Sequence, residues 1–296
     1  MRTTPAGATI PEVTHHRAEV NGTTLHYVTA GAGGTPILLV HGFPETWWAF
    51  HRLIPLLAAH HRVYAVDLRG FGDSDNGPGP YDSATAAEDL HQLIEHLGVG
   101  PVHLTGQDIA GATVFRLATT YPDDVLSLTA IETGLPGFGM EVLADITHGG
   151  VWYIGVLAAP GIPELLLTGR EHEFLGEFLF PAFTTIPGAV TEADIAEFAR
   201  CYARPNGWRG ATGLYRSMLH EAPEIIALAQ SPGLTAPVLA IGGSFTLTTM
   251  TQATTSEVSA VSLDGVGHYV ALEAPEELAE TIIEFTNHRD PVLLRH

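Results

Sequence analysis

Not one lysine appears among the 296 residues; all 13 basic side chains are arginines, which excludes Schiff-base and lysine-base chemistry. Codon usage in a GC-rich genome accounts for that gap. Positive charge is scarce altogether: 33 acidic residues give a formal net charge of −20. Such a surface repels phosphate backbones and anionic bilayers, so neither a nucleic acid nor a membrane surface is expected as a partner. Cysteine is nearly absent. Cys201 alone can form no internal disulfide framework and no cysteine metal cluster. Its helix-like surroundings, EADIAEFARCYAR, suggest a small buried or half-buried residue. The longest apolar stretch, VWYIGVLAAPGIPELLL, is interrupted by Pro160 and Pro163 and reads poorly as a membrane span. The first residues, MRTTPAGATIPEVTHH, have no apolar core of a secretory signal, so a cytoplasmic location is expected. The pattern H-E-x-x-H does not occur, and the His pairs at 15–16 and 60–61 lack helical ligand spacing. No metal site and no cofactor are therefore expected. Neither GPGPY nor GLPGFG joins a strand to a helix as a dinucleotide fingerprint does.

What is present, from about residue 36 onward, is an alternation of short apolar runs with amphipathic segments. TPILLVHG, RVYAVDLRG, PVHLTG and VLSLTAIE read as strands, as do PVLAIGG and EVSAVSL near the end. SATAAEDLHQLIEHLGVG has helical apolar spacing, Ser83 as its expected cap and a closing Gly. A second helix is expected from about Ala110 to Tyr121, and a last one in APEELAETIIEFTNH. Continuous apolar strands separated by helices predict an α/β fold with a mostly parallel sheet covered on both faces. Between about residues 134 and 230 the alternation stops, and helical patterns are broken by GIP, FPAF, IPGAV and RPNGW. This predicts a core made of residues 1–133 and 231–296 with a helical cap, 134–230, inserted between two strands.

The central motif is Gly106-Gln107-Asp108-Ile109-Ala110-Gly111, where a strand runs into a helix. Small residues flanking a functional one on such a turn are the layout of a nucleophile elbow. The usual elbow carries Ser, but no G-x-S-x-G occurs in this chain and Asp108 takes the position. An Asp between a strand and a helix is also an ordinary N-cap, and alone that would be the safer interpretation. Two other motifs change the balance. His41-Gly42-Phe43-Pro44 follows the first buried strand, where the Phe43 N–H can serve an oxyanion together with the Ile109 N–H. His268 lies in the Gly-rich loop DGVGHY after the last strand, where this layout delivers a base.

Taken in order, H-G-F-P, R-G-F-G-D-S-D, G-x-D-x-A-G and G-x-G-H-Y resemble the epoxide hydrolase branch of the α/β-hydrolase family, over about residues 20–290. The chain departs from most members at the third acid. The segment after the cap reads AIGGSFTLTTM and holds no carboxylate before Glu257. Glu132, ending VLSLTAIE, is the alternative, and it resembles a subgroup whose best-known member is a secreted bacterial epoxide hydrolase that impairs a host chloride channel. The resemblance also implies two cap residues that hydrogen-bond the epoxide oxygen, which local pattern assigns to Tyr153 in VWY and Tyr215 in GLYRSM. Either tyrosine could instead be a core residue with a satisfied hydroxyl. His41, Pro44, Trp47 and Trp152 are expected to line the substrate site.

The implied reaction opens an epoxide to a vicinal diol through an alkyl ester on Asp108, which His268, oriented by Glu132, then hydrolyses. The aromatic, helical cap suggests a bulky, apolar small-molecule epoxide as substrate, and a homodimer is compatible with the sequence. A dehalogenase is the nearest rival, although Ile109 offers no halide donor beside the nucleophile. A non-catalytic small-molecule binder on the same fold is a rival of another class, and the elbow Asp speaks against a serine-type esterase or C–C hydrolase.

Overall fold

The computed structural model describes residues 1–287; the end of the expected core segment 231–296 lies outside the described residues. Eight strands form one sheet in the order β1-β2-β4-β3-β5-β6-β7-β8. From β4 outward every pairing is parallel, and only the β1–β2 hairpin and its junction with β4 are antiparallel. The central strands β3 (Pro36–Val40) and β5 (Val102–Gln107) are buried at every residue, as is most of β6 (Val125–Ile131). Runs such as ILLV therefore show no alternation: each face of the strand meets a helix layer. The α/β expectation holds, and β4 (Arg62–Val66), β7 (Val238–Ile241) and β8 (Val258–Val261) fall in the segments that read as strands.

The hairpin of β1 (Thr14–Val20) and β2 (Thr23–Ala30) precedes the stretch where the alternation begins in the sequence. Its turn is Asn21-Gly22, both at positive φ, the residue pair a tight two-residue hairpin favours. A buried chain of side chains fastens it to the sheet. The His15 Nδ1 lies 2.9 Å from His26 Nε2, and His26 Nδ1 lies 2.7 Å from Asp67, just past β4.

Between β6 and β7 the regular elements among the described residues are all helical, including Tyr153–Ala158, Glu192–Tyr202 and Arg209–Met218. Cys201 is buried within the second of these. One expected cap is corrected. The helix Ser83–Leu97 is capped by Asp82, whose carboxylate accepts from Thr85 N at 2.7 Å, while Gly98 closes it in a left-handed conformation. Ser83 is the first helical residue; its hydroxyl faces inward to Glu221 and accepts from Arg116 Nε at 2.7 Å.

Candidate active site

Four described non-glycine residues have positive φ: Asn21, Asp108, Glu132 and Asn206. Asn and Asp visit this region more often than other side chains, Glu rarely, and Asp108 and Glu132 stand in it at the ends of two neighbouring parallel strands. Asp108, with φ of 50°, opens the short helical turn Asp108–Ala110 that leads from β5 into the helix Gly111–Thr120. The turn is crowded: a Cβ on Gly106 would lie 2.6 Å from Val114 Cγ2. Ile109 follows Asp108 in the same turn with a buried side chain.

The Asp108 carboxylate is gripped from two sides. Phe43 N donates to Oδ2 at 2.9 Å, and His268 Nε2 lies 3.5 Å from Oδ1. On the other side of the imidazole, Nδ1 lies 3.5 Å from Glu132 Oε2. Glu132 sits one residue past β6, its N–H donating to Ile241 O at 2.9 Å and its Oε1 accepting from Gly243 N at 2.8 Å. Gly242 has φ of 132°, and a Cβ there would stand 2.0 Å from Glu132 Oε1. The Glu132 side chain fills the space that a side chain on residue 242 would need.

Electrostatics follow from this arrangement. Burial works to lower the His268 pKa, but hydrogen bonds and charge from Asp108 and Glu132 overcome it and raise it to about 10. The resting site thus holds an imidazolium between two carboxylates. A third carboxyl was not singled out in the sequence. Glu45, in HGFPET, is wholly buried beside Asp108, and burial followed by the Asp108 charge raises its pKa to about 8. Its partners are Gln107 Nε2 at 3.2 Å and Gly42 N at 3.4 Å. The signal was present in the sequence: an acidic residue on a loop of otherwise apolar and small residues, three positions after Gly42.

Tyr153 and Tyr215 come together over the elbow, their rings 6.3 Å apart. The Phe43 ring lies 5.3 Å from Tyr215 and 6.4 Å from Tyr153. Burial, then the Asp108 charge, raises both phenol pKa values, so both hydroxyls remain donors; Tyr215 also hydrogen-bonds Tyr153. Two expected lining residues, His41 and Trp47, are corrected. His41 is fully buried, Nδ1 at 2.8 Å from Gly42 O and Nε2 accepting from Leu68 N at 3.1 Å, so it braces the loop from beneath. Trp47 is buried between Trp48 and His15, its N–H on Asp67 at 2.8 Å, and belongs to the packing of the hairpin. Trp152 is about half exposed, its ring 6.2 Å from Tyr153 and 5.3 Å from Phe178, at the rim of a surface cavity of about 380 Å³. Pro44 is buried and joined to Phe43 by a cis peptide. Among the described residues no group of three His, Cys, Asp or Glu could hold a metal ion, and no helix is long and apolar enough to cross a membrane.

Residues 35–275 match the profile of the alpha/beta hydrolase fold family. Over 285 residues the chain is 33% identical to a soluble epoxide hydrolase of Corynebacterium sp. (strain C12), covering 93% of this chain and 97% of that one. A fluoroacetate dehalogenase of Burkholderia sp. is 30% identical over 206 residues, 67% of each chain. The solved structure of epoxide hydrolase CorEH without ligand is similar with a TM-score of 0.84 and 32% identity, covering 94% of this chain and 99% of that one. The chain belongs to the alpha/beta hydrolase fold family, on the branch of the epoxide hydrolases.

Proposed function

We propose that the protein hydrolyses an apolar epoxide to a vicinal diol, with Asp108 as nucleophile and residues 134–230 as the cap over the site. The observation that carries this reading is the Asp108 carboxylate held in a strained turn between the Phe43 N–H and His268, with Glu132 behind the imidazole. An Asp that merely capped a helix would have no use for a base and a relay acid on its far side.

In the first step an Asp108 oxygen attacks one epoxide carbon as the ring C–O bond breaks. The released oxygen takes a proton from Tyr153 or Tyr215, leaving an alkyl ester and a tyrosinate. Esterification removes one of the two charges that keep His268 protonated. The imidazolium pKa falls, and its proton restores the tyrosine. Neutral His268 then deprotonates a water that attacks the ester carbonyl carbon, while the N–H groups of Phe43 and Ile109 stabilise the oxyanion. The tetrahedral species collapses, the alkoxide of the diol takes the proton from His268, and the Asp108 carboxylic acid returns its own proton to the imidazole. Atoms and charges balance to epoxide plus water giving diol.

The aromatic wall of Phe43, Tyr153 and Tyr215 favours an apolar substituent on the epoxide. The similarity to a fluoroacetate dehalogenase favours carbon–halogen cleavage as a second reading, since the same carboxylate and base would serve. Against it, the residue after the nucleophile is the buried, apolar Ile109, which offers a leaving halide no side-chain donor. The test is a panel of aryl and alkyl epoxides beside haloacids. Diol formation abolished by Asp108→Ala supports the proposal. Halide release without diol formation would establish the second reading instead.

A further inference from the structure

Glu273 is a buried carboxylate on the short helix Val270–Glu273, and among the described residues no cation lies within ion-pair distance of it. Such a group is costly to bury unless its oxygens are filled by donors. Four backbone N–H groups from two separate segments fill them. Oε2 accepts from Thr185 N at 2.7 Å and Ile186 N at 2.8 Å, in a turn of the inserted helical segment 88 residues away in the chain. The same oxygen accepts from Gly267 N at 3.1 Å, and Oε1 accepts from Tyr269 N at 3.2 Å. These last two residues flank His268. The His268 N–H completes the join by donating to Phe183 O at 2.9 Å, and the Phe183 ring lies 6.2 Å from the imidazole.

We propose that Glu273 is a positioning residue for the base, clasping the His268 loop to the Phe183–Ile186 turn so that seating of the inserted helices and alignment of the imidazole are one event. The inference rests on the reaction proposed above and deepens it. The attack of Asp108 on the epoxide needs no help from His268, whereas hydrolysis of the ester requires an imidazole aligned on water. Loss of the clasp therefore slows the second step selectively. In Glu273→Gln the amide turns an N–H toward at least one of the four donors, so at least one of those bonds is lost.

The experiment uses the full chain and an epoxide that the wild type hydrolyses, with alkylation and ester hydrolysis resolved by rapid quench and intact-mass measurement. The expected result for E273Q is an alkylation rate within about twofold of wild type and ester hydrolysis slowed about 10-fold or more, so that adduct accumulates. In the H268Q background the same substitution should add no further loss to ester hydrolysis, because Glu273 acts through His268. Should E273Q fail to fold, Glu273→Asp, which keeps the charge but draws the oxygens back by one methylene, is measured in the same way. Equal slowing of both steps, or multiplying losses in the double variant, would overturn the clasp while leaving the proposed reaction intact. A wild type that forms neither diol nor adduct would overturn both.

Discussion

His268→Gln should separate the two steps of the proposed reaction more cleanly than any other change in the site. Glutamine roughly matches imidazole in size and keeps a hydrogen-bonding end near Asp108 and Glu132, but it cannot take a proton from water. In the proposed reaction Asp108 attacks as a carboxylate and needs no deprotonation, so alkylation should continue. A positioned general base is worth about 10²–10⁴-fold, or roughly 3–5 kcal/mol on the barrier it serves. If the two steps run at similar rates in the wild type, a hundredfold fall in the second leaves about 99% of the variant as the ester at steady state. Intact-mass spectrometry after mixing with epoxide should show a gain equal to the whole substrate, mapping to the peptide that contains Asp108. The gain should vanish when Asp108→Ala is added. A single turnover of wild type in ¹⁸O-labelled water checks the same logic: the label should appear first in the Asp108 carboxylate. Label in the first diol released would refute the covalent route, as would an H268Q variant that turns over without any adduct.

Other expectations follow from the same geometry. Glu132→Gln removes one of the two carboxylates that raise the His268 pKa to about 10, so an NMR titration of the imidazole should give a lower value, and ester hydrolysis should slow by about 10-fold or more; an unchanged titration would remove Glu132 from the relay. Glu45, with its pKa near 8, is neutral at pH 7, so Glu45→Gln should leave thermal stability within about 1 kcal/mol of wild type. Glu45→Ala opens a cavity and orphans the partners on Gln107 and Gly42, and should lose about 2–4 kcal/mol in denaturant unfolding. Stability should fall as pH rises. For His268 the folded pKa of about 10 exceeds the ordinary 6.5, so its contribution is full below 6.5 and is lost on the way to 10. Glu45 has the same sign between 4.5 and 8, because the unfolded chain releases its proton first. Urea melts at pH 6 and pH 9 should show the decline, and a Glu45→Gln variant should lose the part that falls below pH 8.

The sequence by itself determined the sheet, the elbow and the order of the chemical groups along the chain. Short apolar runs bounded by Gly and separated by amphipathic helices read as strands buried on both faces, and small residues around Asp108 are legible because crowding at the turn admits little else. The β1–β2 hairpin lies before the alternation expected from the sequence and emerges only in the structure, although Asn21-Gly22 is a turn signal. What the tertiary structure decided concerns residues whose roles depend on who lies opposite. His41 and Trp47 belong to a motif beside the site, yet loop packing turns His41 toward Leu68 and buries Trp47 against His15. Glu45 shows in the sequence only as an acidic residue on an apolar loop, and it is burial beside Asp108 that raises its pKa to about 8. Glu132 and Gly242 show the limit most clearly: only their contact across two parallel strands explains why residue 242 is a glycine. Periodicity and turn chemistry are local properties of a chain and survive in its sequence, whereas burial, charge coupling and the space left by a neighbour are set by residues far away along it.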